Sequence, residues 1–182
     1  FDITPDYDLD VMQDNQTPTD VAAEVLRRIQ PILQDEKPDW ILVQGDTTTV
    51  LAASLAAFYN RVKVGHVEAG LRTHDRHNPF PEEINRVLAD QLSDLHFAPT
   101  ETSKRALLQE AIAPERIHVT GNTVIDALRV IVSRPPNGAL PEYPTDKRLI
   151  LVTAHRRENF GEPFADVLSA LKQIADRGDA HL

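Results

Sequence analysis

The chain has 182 residues, enough for one domain and part of another, and 41% of them are hydrophobic, which supports a buried core and argues against wholesale disorder. It has no cysteine, which excludes disulfides, thiolate catalysis and cysteine-ligated zinc. Its net charge of −9, from 28 acidic against 19 basic residues, argues against a duplex nucleic-acid binder but not against a phosphate-bearing small ligand held by a few arginines and helix N-termini.

The opening FDITPDYDLD is acidic, unlike a signal peptide and without a leading Met; it and the closing RGDAHL are read as truncation points. No apolar run approaches the roughly 20 residues that a membrane-spanning helix needs, so no membrane partner is expected. A helix is predicted over 17–33, where Val21, Val25, Leu26 and Ile29 recur at helical spacing behind Thr17-Pro18. Lys37-Pro38-Asp39 breaks it, and the apolar run 40–43 reads as a buried strand. Gly45-Asp46-Thr47 turns the chain into a small-residue helix over 49–58. The cycle repeats: strand 62–67, a long polar stretch, helix 81–92, strand 95–98, helix 100–111, strand 117–120, and a helix capped by Asn122 or Thr123 and reaching 132. Strands alternating with helices point to a parallel sheet with helices on both faces. The segment 133–147 holds four prolines and reads as a linker. Beyond it come a strand over 148–153, a polar loop over 155–161 and a helix over 162–177, a βα unit that cannot bury itself alone.

Ligands of open α/β sheets bind beyond the carboxyl ends of the strands, so the residues that follow each strand are the candidates. Asp46 is either a helix cap or a carboxylate aimed at a sugar or a proton. Glu68 is either a surface acid paired with Arg72 or a site carboxylate, and its neighbours Ala69 and Gly70 are small enough for a ligand to approach the backbone. Glu82 and Arg86 lie four apart on one helical face; sequence physics alone favours first-turn acids that compensate the helix dipole. His155, beside Arg156 and Arg157, suits an anionic diphosphate. A weaker rival gathers Asp46, His66, Glu68, His74, Asp75 and His77 into a two-metal site, without the tight ligand spacings that make such an assignment strong. Neither a Gly-x-Gly-x-x-Gly fingerprint nor a Walker motif occurs.

Seven segments in order, PDYDLDVM, VQGDTTTVLAASLAAFY, VGHVEAGLRT, PFPEEINRVLAD, HFAPTETSKRALL, HVTGNTVIDAL and LVTAHRREN, resemble the non-hydrolysing UDP-N-acetylglucosamine 2-epimerase family. The resemblance covers nearly the whole chain and implies a two-domain GT-B architecture, with the active site between two Rossmann-like domains. On that basis residues 1–132 form an N-terminal domain incomplete at its start, 133–147 a linker, and 148–182 the beginning of the C-terminal domain. It implies interconversion of UDP-N-acetylglucosamine and UDP-N-acetylmannosamine, by anti elimination of UDP to 2-acetamidoglucal and re-addition. That chemistry needs no redox or metal cofactor. Asp46, Glu68 and Glu82 match the family's catalytic carboxylates, Arg86 a nearby functional arginine, and His155 the histidine that contacts the UDP diphosphate. This reverses the dipole reading of Glu82 and leaves the acid and base roles unassigned.

The stretch DNQTPT departs from the family pattern, which has Gly-Gln after the PDYDL block; Gln16 is its nearest counterpart. The resemblance further implies a cytoplasmic homodimer in cell-envelope polysaccharide biosynthesis, with a UDP-sugar as substrate and in some members as allosteric activator. Two alternatives stay open: a GT-B glycosyltransferase or hydrolysing epimerase acting on a UDP-sugar, and a non-catalytic nucleotide-sugar-binding protein. The 182 residues alone are expected to have no useful activity.

Overall fold

A computed structural model describes residues 1, 3–135, 144–154 and 161–182. Positions 136–143 of the predicted linker, and 155–160 with His155, lie outside the described residues. The chain divides into two compact units, Phe1–Ala127 and Leu128–Leu182.

The first unit opens with α1 (Pro18–Glu36). Thr17 accepts from the Asp20 amide while the Asp20 carboxylate accepts from the Thr17 amide, a reciprocal capping box with Pro18 in the first turn. The helix runs three residues past the predicted end. It stops where Lys37, disfavoured from helix by the following Pro38, takes a left-handed conformation and donates its amide to Leu33.

A parallel sheet follows, with β1 (Trp40–Gln44), β2 (Lys63–Val67), β3 (Leu95–Ala98) and β4 (Ile117–Val119) side by side in chain order. The register aligns Val43 with His66, His66 with His96, and His96 with Ile117. The connections are α2 (Thr48–Tyr59), α3 (Glu82–Leu92) and α4 (Glu101–Gln109), with a 3-10 turn at Pro114–Arg116 before β4. Helix α5 (Thr123–Val132) leaves β4 and crosses the boundary between the units.

Sequential parallel strands joined by right-handed crossovers place every connecting helix on one face. Accordingly Val43 and Val64 pack with Val50, Ala53 and Ala57 of α2 and Ala89 of α3, while Ala98 and Ile117 of the same face pack with Leu107 of α4. The alanines of α2 let it lie close on the strands; Ala52, Ala53, Ala56 and Ala57 are all buried. The sequence predicts helices on both faces; in this unit α2, α3 and α4 share one, and on the other Trp40 and Leu42 remain 38% and 70% exposed.

The second unit contains β5 (Arg148–Leu149), α6 (Glu162–Asp176) and β6 (Ala180–His181). The two strands pair in parallel, so the lone βα unit read from the sequence closes as βαβ through a strand that the sequence reading missed. Regular pairing covers two residues of the predicted 148–153 strand, and Leu151 is 94% exposed.

Candidate active site at the carboxyl edge of the sheet

Beyond β1, Gly45 takes a left-handed φ of 81° and donates its amide to Val67 of β2, which turns Asp46 over the sheet edge. Asp46 is not the cap of α2: Thr47 is, its hydroxyl accepting from the Val50 amide. The Asp46 carboxylate is therefore free for another partner, and Arg86 Nη2 donates to its Oδ2 at 2.6 Å. Asn85, next to Arg86 on α3, donates to the Asp46 carbonyl at 3.0 Å. The preceding carbonyl, that of Gly45, lies 2.7 Å from Nε2 of the buried His66. Asp46 is thus gripped through its side chain, its own carbonyl and the carbonyl before it.

Glu68 stands at the end of β2 with φ of 69°, a conformation that costs a non-glycine residue of the order of 1 kcal/mol or more. The turn is fixed by the amides of Glu68 and Ala69, which both donate to the Phe97 carbonyl of β3. Its carboxylate comes back over the edge: a Cβ placed on Gly45 would lie 3.9 Å from Glu68 Oε2, and Asn122, beyond β4, donates to Oε1 at 3.4 Å. The small residues after it serve packing. Ala69 is fully buried, and a Cβ on Gly70 would meet the Ser103 carbonyl of α4 at 2.4 Å. The closeness expected of a ligand at these positions is taken up by α4.

Glu82 is half-buried in the first turn of α3, one helical turn before Arg86. Its neighbour Glu83 is buried and accepts from the amides of Thr73 and His74, tying the loop after β2 to α3. Burial works to raise the Glu83 carboxyl, but these amide bonds and the Arg86 charge outweigh it and hold the group below its ordinary range. Arg86 is also buried and stands 3.7 Å from Glu83, so it lies between two carboxylates.

Beneath the edge lies a buried ionic cluster. Asp90 Oδ1 is 2.5 Å from His66 Nδ1; its Oδ2 accepts from Arg72 Nη2 at 2.6 Å and from the Gly70 amide at 3.2 Å. Arg72 is bidentate to Glu110, at 2.6 and 2.7 Å. Burial opposes ionisation of Asp90, yet the bonds and charges of His66 and Arg72 prevail and keep it below its ordinary value. Arg72 therefore pairs with Asp90 and Glu110, not with Glu68.

The structure brings Asp46, Glu68 and Arg86 to one edge, with Glu82 one turn from Arg86. Among the described residues no three His, Asp or Glu side chains gather as a metal site, and His66 is committed to Asp90 and Gly45. The sequence reading passed over Asn85 and Asp90, and took Asn122 only as a helix cap, without its contact to Glu68. The signal for Asp90 was a charged residue four positions past Arg86, on the same face of a helix that packs on the sheet.

This is a Rossmann-like α/β protein with a polar, carboxylate-bearing edge at the carboxyl ends of its parallel strands, where sheets of this kind bind ligands. The family model for UDP-N-acetylglucosamine 2-epimerase matches residues 1–182. A UDP-N-acetylglucosamine 2-epimerase of Salmonella typhimurium is 54% identical over 184 residues, covering 96% of this chain and 49% of that protein. A solved chain from Listeria monocytogenes superposes with a TM-score of 0.90 at 46% identity, covering 100% of this chain and 48% of its own. The Neisseria meningitidis UDP-GlcNAc 2-epimerase, solved bound to UDP-GlcNAc, matches with a TM-score of 0.68 at 53% identity over 72% of this chain and 36% of that one. The chain belongs to the UDP-N-acetylglucosamine 2-epimerase family, and it spans about half the length of the Salmonella and Listeria relatives.

Proposed function

We propose that this chain, within a polypeptide of its relatives' full length, interconverts UDP-N-acetylglucosamine and UDP-N-acetylmannosamine without hydrolysis. The observation that carries the reading is the Asp46 carboxylate, bonded to Arg86 at 2.6 Å on the same sheet edge as Glu68. The C2 proton of the sugar is weakly acidic, so departure of UDP from C1 runs ahead of proton loss and builds oxocarbenium character that a nearby carboxylate stabilises. Inversion at C2 then requires a proton to leave C2 of the UDP-sugar on one face, forming the glucal as UDP departs, and a proton to be delivered to C2 from the opposite face as UDP adds back to C1. Carboxylates on neighbouring strand ends and on the α3 turn suit that division of work, and Asp46, Glu68 and Glu82 are the groups assigned to it. Arg86 holds Asp46 and binds substrate. His155, by resemblance, donates to the diphosphate and eases departure of UDP.

The same resemblance supports the assignment of 1–132 and 148–182 to two Rossmann-like domains joined by 133–147. It also supports a cytoplasmic homodimer that serves cell-envelope polysaccharide synthesis, and in some members of the family a UDP-sugar is also an activator. Sedimentation and the dependence of initial rate on UDP-N-acetylglucosamine check the dimer and the activation.

The central test is turnover of UDP-N-acetylglucosamine by the full-length protein in deuterated water. The expected product is UDP-N-acetylmannosamine carrying deuterium at C2, with Asp46→Asn and Glu68→Gln severely impaired. Release of a free sugar, or epimer formed without solvent deuterium, would refute this mechanism.

A further inference from the structure

His66 is enclosed by oxygen atoms. The ring is fully buried, and both of its nitrogens face acceptors: Nδ1 is 2.5 Å from Asp90 Oδ1, and Nε2 is 2.7 Å from the Gly45 carbonyl oxygen. A carbonyl has no proton to offer. Asp90 is already the acceptor for the Arg72 guanidinium and the Gly70 amide, which favours its ionised form. A neutral imidazole has one N–H, so one of its two contacts would set a bare lone pair against an oxygen in a dry interior. We infer that His66 is held as a buried imidazolium that clamps the Gly45 carbonyl and thereby positions Asp46 for the proposed reaction.

The surrounding charges are consistent with this cation. The groups around it are Asp90 of α3, Arg72 of the loop after β2, Glu110 at the end of α4, which pairs with Arg72, and His96 of β3, whose Nε2 donates to the Asp90 carbonyl at 2.8 Å. His66 and Arg72 balance Asp90 and Glu110, so the cluster closes without net charge. His66 Nε2 links the cluster to the Gly45 turn. Gly45 has no side chain to anchor its turn, and its carbonyl orientation sets the direction of the next peptide, that of Asp46. His66 is a positioning residue, placed beneath a carboxylate that it does not touch.

The protonation half stands on geometry alone; the positioning half rests on the role given to Asp46 above. Neutron diffraction from the deuterated full-length protein at neutral pH reads the first directly. Deuterons on both Nδ1 and Nε2 are expected, and a deuteron on only one overturns it. This arm uses the unaltered protein, so a variant that fails to fold does not leave the question open.

The positioning half is read from kinetics of full-length His66→Gln, alone and combined with Asp46→Asn. Alone, kcat is expected to fall about 10–100-fold with KM little changed, as a misplacement of the order of an ångström would cause. In the Asp46→Asn background the same change is expected to cost little more. An equal fold-loss in both backgrounds overturns the coupling to Asp46. Absence of epimerase turnover in the unaltered enzyme refutes the proposed function instead, while the neutron result still decides the imidazolium.

Discussion

Arg86 on α3 meets Asp46 beyond β1 across 40 positions of sequence, at 2.6 Å, and both residues stand where a sheet of this kind receives its ligand. Replacing Arg86 by Met leaves Asp46 without its cation. In the full-length enzyme kcat/KM is expected to fall about 100-fold or more, by the measure of one lost charge-assisted contact at a reacting centre. Arg86→Lys keeps the charge without the planar fork that lies between Asp46 and Glu83, and an intermediate loss is expected. Initial rates of UDP-N-acetylmannosamine formation check both, and a wild-type rate for Arg86→Met would remove this pair from the mechanism.

Asp90 serves three donors in a buried place, so Asp90→Asn leaves Arg72 and His66 poorly compensated. Breaking a buried charge network in this way costs about 3–5 kcal/mol. The urea midpoint of the full-length protein at neutral pH measures it. A shift worth under 1 kcal/mol, on the scale of exposed pairs, would mean the cluster is far better hydrated than its burial indicates.

Acid should loosen the same region. Asp90 and Glu83 have folded-state pKa values below their ordinary 3.8 and 4.5, so the unfolded chain binds their protons first as pH falls. The stability they contribute is present in full above those ordinary values and is lost as pH drops through the lowered ones. Urea midpoints taken from pH 6 down to pH 3 should decline toward the acid end, with a shallower decline for Glu83→Gln. An unchanged slope in that variant would remove Glu83 as a cause.

Two glycines with nearly the same φ separate packing from conformation. Gly70 and Gly121 have φ of 82° and 83°, but an added Cβ meets the Ser103 carbonyl at 2.4 Å in the first case and nothing within 4 Å in the second. Gly121→Ala should cost about 1–2 kcal/mol, the left-handed penalty alone. Gly70→Ala adds overpacking of about 1–3 kcal/mol. Thermal melts of the two variants side by side test the ranking.

Most of the first unit could be read from the sequence because its signals are local. The Thr17-Pro18 start of α1, the apolar run that becomes β1 and the alanine-rich α2 each follow from neighbouring residues. Helix α3 shows where that reading stops. Its buried positions are Glu83, Asn85, Arg86, Ala89 and Asp90, while Leu88 is 44% exposed, so apolar periodicity does not identify its inward face. The inward polar groups make sense only once the amides of Thr73 and His74, the Asp46 carboxylate and His66 are brought to them. Pairing of Glu68 with Arg72 assumes a helix that the left-handed Glu68 breaks. Strand β6, two residues after the turn at Gly178, is too short for any period to register.

The left-handed backbone at Glu68 sets two kinds of fitness against each other. Asn adopts that conformation more readily than Glu does, so Glu68→Asn should yield a chain that melts later. The same change shortens the acid and removes its charge, and with them the chemistry assigned to this position. A search for thermostable variants that ignored turnover would therefore be drawn toward the substitution that removes a carboxylate the proposed reaction uses.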